Sequence, residues 1–152
     1  MSDYRLGVLG GMGPQATNTF YQYIIDRTAA RTDQEHISML IFSDNGVPDR
    51  TAAILSGEEE PVYDRLLYGA KLLEQGGCTA IAVPCNTAHY FLDKVQEQIS
   101  IPILHMVREA CQVLASRGCH YPGVLGTGVV KLPGLNVGRT GLTESAAKEA
   151  GY

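Results

Sequence analysis

Short apolar runs alternate with amphipathic ones along most of this chain, and that alternation limits the folds open to it. Residues 6–9 form a β-rich run ending in Gly10-Gly11-Met12-Gly13-Pro14. Residues 15–30 then show helical spacing, with Ala16, Phe20, Tyr23 and Ile24 on one side. A second β-like run, 38–42, leads into a loop at 43–50 that holds Asn45, Gly46, Pro48 and Asp49. Residues 60–75 read as a helix on Val62, Leu66, Leu67, Ala70 and Leu73, stopped by Gly76-Gly77. A third strand is expected at 79–83, with a helix at 87–98 after it. A fourth strand is expected at 101–104, followed by a helix at 107–116 that Gly118 stops. Residues 123–125 could open a fifth strand. From Gly126 onward glycines break the periodicity, and only 143–152 suggests a further short helix.

Strand-helix alternation of this kind predicts an α/β fold: a three-layer parallel sheet with flanking helices, Rossmann-like. In such folds ligands bind beyond the carboxyl ends of the strands. The loops at 10–14, 43–50 and 84–89 each follow a strand, so all three should open on one edge of the sheet and form one site.

The balance of residues removes several classes of partner. Net charge is −4 with no Lys/Arg cluster, which argues against nucleic acid. No apolar run approaches the roughly 20 residues needed to span a bilayer. The opening Met-Ser-Asp-Tyr-Arg lacks the layout of a signal peptide, so a cytoplasmic location is the expectation. Cys78, Cys85, Cys111 and Cys119 match no zinc or CxxC spacing, and a disulfide framework is not expected. Cys78 and Cys111 fall in apolar patterns and read as packing residues, and Cys119, after Gly118, as structural.

Three loops carry the chemistry. The Gly10–Gly13 turn would let backbone approach a ligand closely, or be a tight turn and no more. It lacks the third glycine of a dinucleotide fingerprint, because Gln15 and Ala16 stand there; a nicotinamide cofactor is not expected. In Pro48-Asp49-Arg50-Thr51, Arg50 offers a fork for a carboxylate, while Asp49 or Thr51 could equally cap a helix. The run Ala-Val-Pro-Cys-Asn-Thr-Ala-His at 82–89 places Cys85 where a strand gives way to a helix. Helix N–H groups and the positive end of the dipole favour thiolate there, and the same groups could hold a carboxylate. His89, one turn on, could face the thiol. Asn86 and Thr87 could cap the helix or bind a ligand. His36, His105 and His120 show no partner and read as structural or exposed.

The segments 9–17 (Leu-Gly-Gly-Met-Gly-Pro-Gln-Ala-Thr), 33–36 (Asp-Gln-Glu-His), 47–51 (Val-Pro-Asp-Arg-Thr) and 84–89 (Pro-Cys-Asn-Thr-Ala-His) together resemble the aspartate/glutamate racemase family, in its aspartate racemase branch. The resemblance covers about residues 4–118. It implies two similar α/β domains with the site between them, and racemisation without pyridoxal phosphate or metal, by one cysteine from each domain. By the same resemblance Cys85 is the catalytic thiolate and Arg50 pairs with the side-chain carboxylate of an aspartate or glutamate substrate. Asn86 and Thr87 would hold the α-carboxylate or amino group, and Met12 and Gly13 would line the pocket. The implied organisation is a racemase-type domain at 1–120 and an altered start of a second domain at 121–152. No Gly-Cys-Thr segment of the sort that carries the family's second cysteine follows Cys85. The expectation is therefore a homodimeric racemase that is incomplete, and weakly active or inactive alone. Two alternatives stay open: a non-catalytic carboxylate-binding or oligomerising half-domain, and a one-cysteine lyase of the arylmalonate decarboxylase type.

Overall fold

The computed structural model describes residues 4–118 and the backbone of two strands within 127–139. Four parallel strands, β1 (Arg5–Gly10), β2 (Ser38–Ser43), β3 (Ala80–Ala82) and β4 (Ile103–Leu104), form one sheet in the order β2-β1-β3-β4. Parallel neighbours need crossover connections. These are α1 (Pro14–Arg27) between β1 and β2, α2 (Arg50–Ser56) and α3 (Glu60–Gln75) between β2 and β3, and α4 (His89–Gln96) between β3 and β4. α5 (Met106–Ser116) follows β4. The chain leaves β1 toward β2, then recrosses β1 to reach β3, so the strand order reverses between β1 and β3. Ligands of open α/β sheets bind at such a reversal, beyond the carboxyl ends of the strands, and right-handed crossovers put α1 and α3 on opposite faces.

The core follows this arrangement. Leu9, Ile81 and Val83 point to the face packed by Val62, Leu66, Ala70 and Leu73 of α3 and by Phe91, Leu92 and Val95 of α4. Alternate residues Leu6, Val8, Ala80 and Ala82 point to the other face, against Phe20, Ile24 and Met39. Near-continuous apolar strands are what two covered faces require. Each fully buried leucine here stabilises the fold by roughly 2 kcal/mol of transfer free energy. α3 ends as its glycines predict. The Cys78 N–H donates to the Leu73 carbonyl at 3.1 Å and the Gly77 N–H to that of Glu74 at 3.0 Å, with Gly77 left-handed at φ 76°.

Several expectations shift. Tyr23 is exposed rather than inward, because the buried stripe of α1 runs through Thr17 with Phe20 and Ile24 beside it. β3 and β4 are shorter than the apolar runs that hold them, since residues beyond the paired stretch turn into loops. α2 was not anticipated. α4 starts at His89 with Ala88 at its N-cap, so neither Asn86 nor Thr87 caps it. Thr127–Leu132 and Leu135–Arg139 pair antiparallel (β5, β6) in a region whose sequence shows no strand periodicity. The suggested strand at 123–125 and helix at 143–152 lie outside the described residues. The chain forms two compact units, Met1–Cys111 and Gln112–Tyr152. No helix among the described residues is long and apolar enough to cross a membrane.

Candidate functional site

The first loop is built by its own glycines. Thr17, buried in the first turn of α1, accepts a hydrogen bond at Oγ1 from the Gly11 N–H (2.9 Å) and donates to the Gly13 carbonyl (3.4 Å). A Cβ on Gly10 would lie 2.4 Å from the Thr17 side chain, and one on Gly11 would lie 2.4 Å from the Asp44 backbone. Gly11 also has φ +91°, so only glycine fits without strain. Packing explains both residues without a ligand. Gly13 differs, because among the described residues nothing beyond its chain neighbours lies within 4 Å of the position its Cβ would take. Met12 is buried in the same cluster as Val47, Ala53 and Cys85.

The second loop holds Arg50 by two devices. Asp49 caps α2, its carboxylate accepting from the Ala52 N–H at 2.8 Å, which fixes the residue next to Arg50. The Arg50 Nη1 donates to the carbonyls of Pro48 (2.9 Å) and Val47 (3.4 Å). Its Nε is buried and has no partner, and no carboxylate among the described residues pairs with it. Guanidinium donors are costly to bury unpaired, so the half-buried Arg50 could take an acid as partner. Asp44 braces the loop from behind. Its Oδ1 accepts from the Gly46 N–H at 2.9 Å and from Arg65 Nη2 of α3 at 2.6 Å, and its Oδ2 is buried without a partner. The bond to Asp44 holds the Arg65 guanidinium above its already high range.

The third loop carries Cys85, 9% exposed. Its N–H donates to the Val83 carbonyl at 2.8 Å. Its own carbonyl accepts from Nδ1 of His89 at 2.8 Å, and Nε2 of His89 accepts from the Met106 N–H at 3.0 Å. The Met106 donor requires a lone pair on Nε2, so the proton sits on Nδ1. Burial holds the His89 pKa below the usual histidine value, which keeps the ring neutral. Neither ring nitrogen is free for the thiol. The expectation that His89 faces Cys85 Sγ is therefore corrected: it grips the Cys85 backbone, since i and i+4 here join a side chain to a carbonyl. Asn86 is exposed and Thr87 half-buried. The N–H groups of Asn86, Thr87 and Ala88 have no acceptor among the described residues. Three such donors at the foot of α4 suit an anion.

The six residues singled out from the sequence thus follow β1, β2 and β3 at one edge of the sheet: Met12, Gly13, Cys85, Asn86 and Thr87 on loops, and Arg50 as the first residue of α2. Cys78 is buried against β1, and burial pushes its thiol pKa up, as befits a packing residue. Cys111 is exposed, contrary to its apolar sequence pattern. Cys119 and His120 lie outside the described residues. His105 stands edge-on to His89 at 4.7 Å and accepts from the Arg108 N–H at 3.4 Å, opening α5. The 33–36 segment is elsewhere. Asp33 and His36 line a half-open cavity of about 290 Å³ with Tyr21 and Ile24 of α1, beside the amino end of β2. Asp44, Arg65 and the Met106 N–H were not legible beforehand. Asp44 pairs with a residue 21 positions away and His89 with one 17 positions away, and no local pattern marks either.

The sequence profile of the Asp/Glu/Hydantoin racemase family matches residues 9–137. A broad-specificity amino-acid racemase, RacX of Bacillus subtilis, is 34% identical over 108 residues, 68% of this chain and 46% of RacX. The structure of Picrophilus torridus aspartate racemase superposes with a TM-score of 0.69 at 32% identity, covering 76% of this chain and 48% of that one. A separate 39-residue match, 49% identical, links 26% of this chain to 9% of an NAD(P)H coenzyme A polysulfide/persulfide reductase of Pyrococcus horikoshii. That stretch is too small a share of the reductase to bring its nicotinamide chemistry with it. The chain spans about half the length of RacX and of the Picrophilus enzyme.

Proposed function

Since the chain belongs to the Asp/Glu/hydantoin racemase family, we propose that it carries one half of a cofactor-independent amino-acid racemase site for an acidic amino acid. The observation that carries this reading is Arg50. Its guanidinium is anchored through Nη1 and keeps a buried, unpaired Nε, at the start of α2 on the same sheet edge as Cys85. Such a group favours a substrate with a carboxylate in its side chain, aspartate or glutamate.

The α-proton of an amino acid is very weakly acidic, so a base needs help. In this reading the N–H groups of Asn86, Thr87 and Ala88 hold the α-carboxylate. They also stabilise the negative charge that spreads into it as the C–H bond breaks. The Cys85 thiolate takes the proton and becomes a thiol, and the same thiol returns it. Met12 and Gly13 wall the pocket. Inversion needs a second acid on the opposite face of the α-carbon, and among the described residues Cys85 is the only thiol on this loop cluster. This part of the protein by itself should exchange the α-proton on one face and invert slowly or not at all. A second copy of the chain, in a homodimer, is one source of that acid. A cytoplasmic location belongs to the same reading, because the thiol must stay reduced.

The test is α-proton exchange into D₂O, followed by NMR for both enantiomers of aspartate. Loss of exchange on Cys85→Ser supports the assignment, and retained exchange overturns it. The burial of Cys85 favours one competing reading, a carboxylate-binding half-domain with an inert cysteine. Iodoacetamide labelling separates the two. Protection of Cys85 by aspartate supports the racemase site, and aspartate binding that leaves the labelling unchanged supports the binding module.

A further inference from the structure

We propose that His89 is a positioning residue for the Cys85 turn, a neutral strut that aims the Asn86 N–H at the bound acid by holding the Cys85 carbonyl on its far side. The proposal rests on the reading of the 85–88 turn as the carboxylate site.

The geometry starts from the peptide between Cys85 and Asn86, which is trans, since among the described residues only Met12–Gly13 is cis. In a trans peptide the carbonyl and the following N–H point in opposite directions. The Cys85 carbonyl is drawn onto a ring that is 5% exposed, at 2.8 Å. The Asn86 N–H must then point away from that buried ring. The exposure of Asn86 and the lack of any acceptor for its N–H agree with this. One bond thereby fixes both the backbone that carries the thiol and the first of three anion-binding donors.

The second ring nitrogen sets the strut itself. His89 is the first residue of α4, so its backbone is fixed by the helix. Its Nε2 accepts from Met106, which opens α5 beyond the neighbouring strand β4. The ring therefore ties two strand-end loops together, and the edge of His105 closes one side of it at 4.7 Å.

Two substitutions divide the ring's functions. In His89→Asn the amide nitrogen can stand near the place of Nδ1 and still donate to the Cys85 carbonyl, while the Met106 bond is lost. In His89→Gln the amide oxygen can reach the place of Nε2 and still accept from Met106, while the Cys85 bond is lost. The full chain is used, with iodoacetamide labelling of Cys85 read by peptide mass spectrometry so that the other cysteines do not interfere. The aspartate concentration for half-protection and the thermal midpoint are read alongside. His89→Asn should keep the labelling rate and half-protection within about threefold, and His89→Gln should shift both by about tenfold or more at a similar thermal midpoint. The idea is overturned if His89→Gln matches the unchanged chain, or if both variants change equally and in step with their thermal midpoints. If aspartate fails to protect Cys85 in the unchanged chain, the functional reading falls. The order of the two labelling rates then still decides whether His89 positions the turn.

Discussion

Gly11 and Gly13 sit two residues apart in one turn and answer to different demands. Gly11 must be glycine for the fold: Gly11→Ala would force a side chain into the Asp44 backbone at φ +91°, and should destabilise by about 2 kcal/mol or more. Chemical denaturation would read that loss. Gly13→Ala meets no atom of the described residues within 4 Å beyond its chain neighbours and should leave the denaturation midpoint unchanged. If Gly13 lines the substrate pocket, aspartate protection of Cys85 should nevertheless weaken. Equal protection in Gly13→Ala would remove Gly13 from the site. Arg50 yields a similar contrast. Arg50→Lys keeps the charge but loses the fork and the Nη1 anchor to Pro48. A tenfold weaker affinity for aspartate, about 1.4 kcal/mol, is the expected result by isothermal calorimetry. The candidate roles of these residues were legible from type and position in the run of motifs. Which glycine serves packing and which faces open space was not, because that depends on Thr17 and Asp44 arriving from elsewhere.

At the scale of elements, legibility followed length and burial. α3 runs from Glu60 to Gln75 as its apolar spacing predicts, because buried residues recur from Val62 to Leu73 and a glycine pair ends it. Leu66 on its inner face is fully buried, and Leu66→Ala should cost about 2–5 kcal/mol in urea unfolding. α2 was missed because seven residues carry too little periodicity to stand out from a loop. Its one local signal was Asp49, the residue that could be a cap and is one. Asp49→Ala should cost about 1 kcal/mol and also loosen Arg50, so aspartate protection of Cys85 should fall with it. Unchanged protection would separate Arg50 from the cap. α4 starts later than its sequence pattern, since residues 86–88 spend their N–H groups on no protein acceptor and form a turn instead.

Across the molecule, the buried neutral His89 makes stability depend on pH. Its folded pKa lies below the unfolded value, mainly through burial. The unfolded chain therefore binds a proton more readily than the folded one below about pH 6.5, the ordinary histidine value. His89's contribution is complete above that pH and is lost as pH falls through the lower folded value. Urea midpoints should drop on acidification from pH 7 toward 5, and His89→Asn should flatten part of the slope. An identical slope in the variant would sink the assignment. Self-association belongs to this scale as well. α5 buries no residue, and Met106, Val107 and Leu104 are exposed beside one another in sequence. Sedimentation should show a dimer, and a monomer at all concentrations would count against a homodimeric racemase.

The sequence by itself determined the α/β class, the alternation of layers and the three loops that carry the candidate chemistry. Those features repeat in periodicity and turn residues, and periodicity is local. Strand order, and with it the reversal between β1 and β3, came only from the fold, because pairing joins residues such as Leu6 and Ala80 that no local pattern connects. The same holds for the two acids and bases behind the site. Asp44 meets Arg65, and His89 meets Met106, only after the chain has closed on itself and taken Asp44 and His89 out of water, where an unmet hydrogen bond becomes costly.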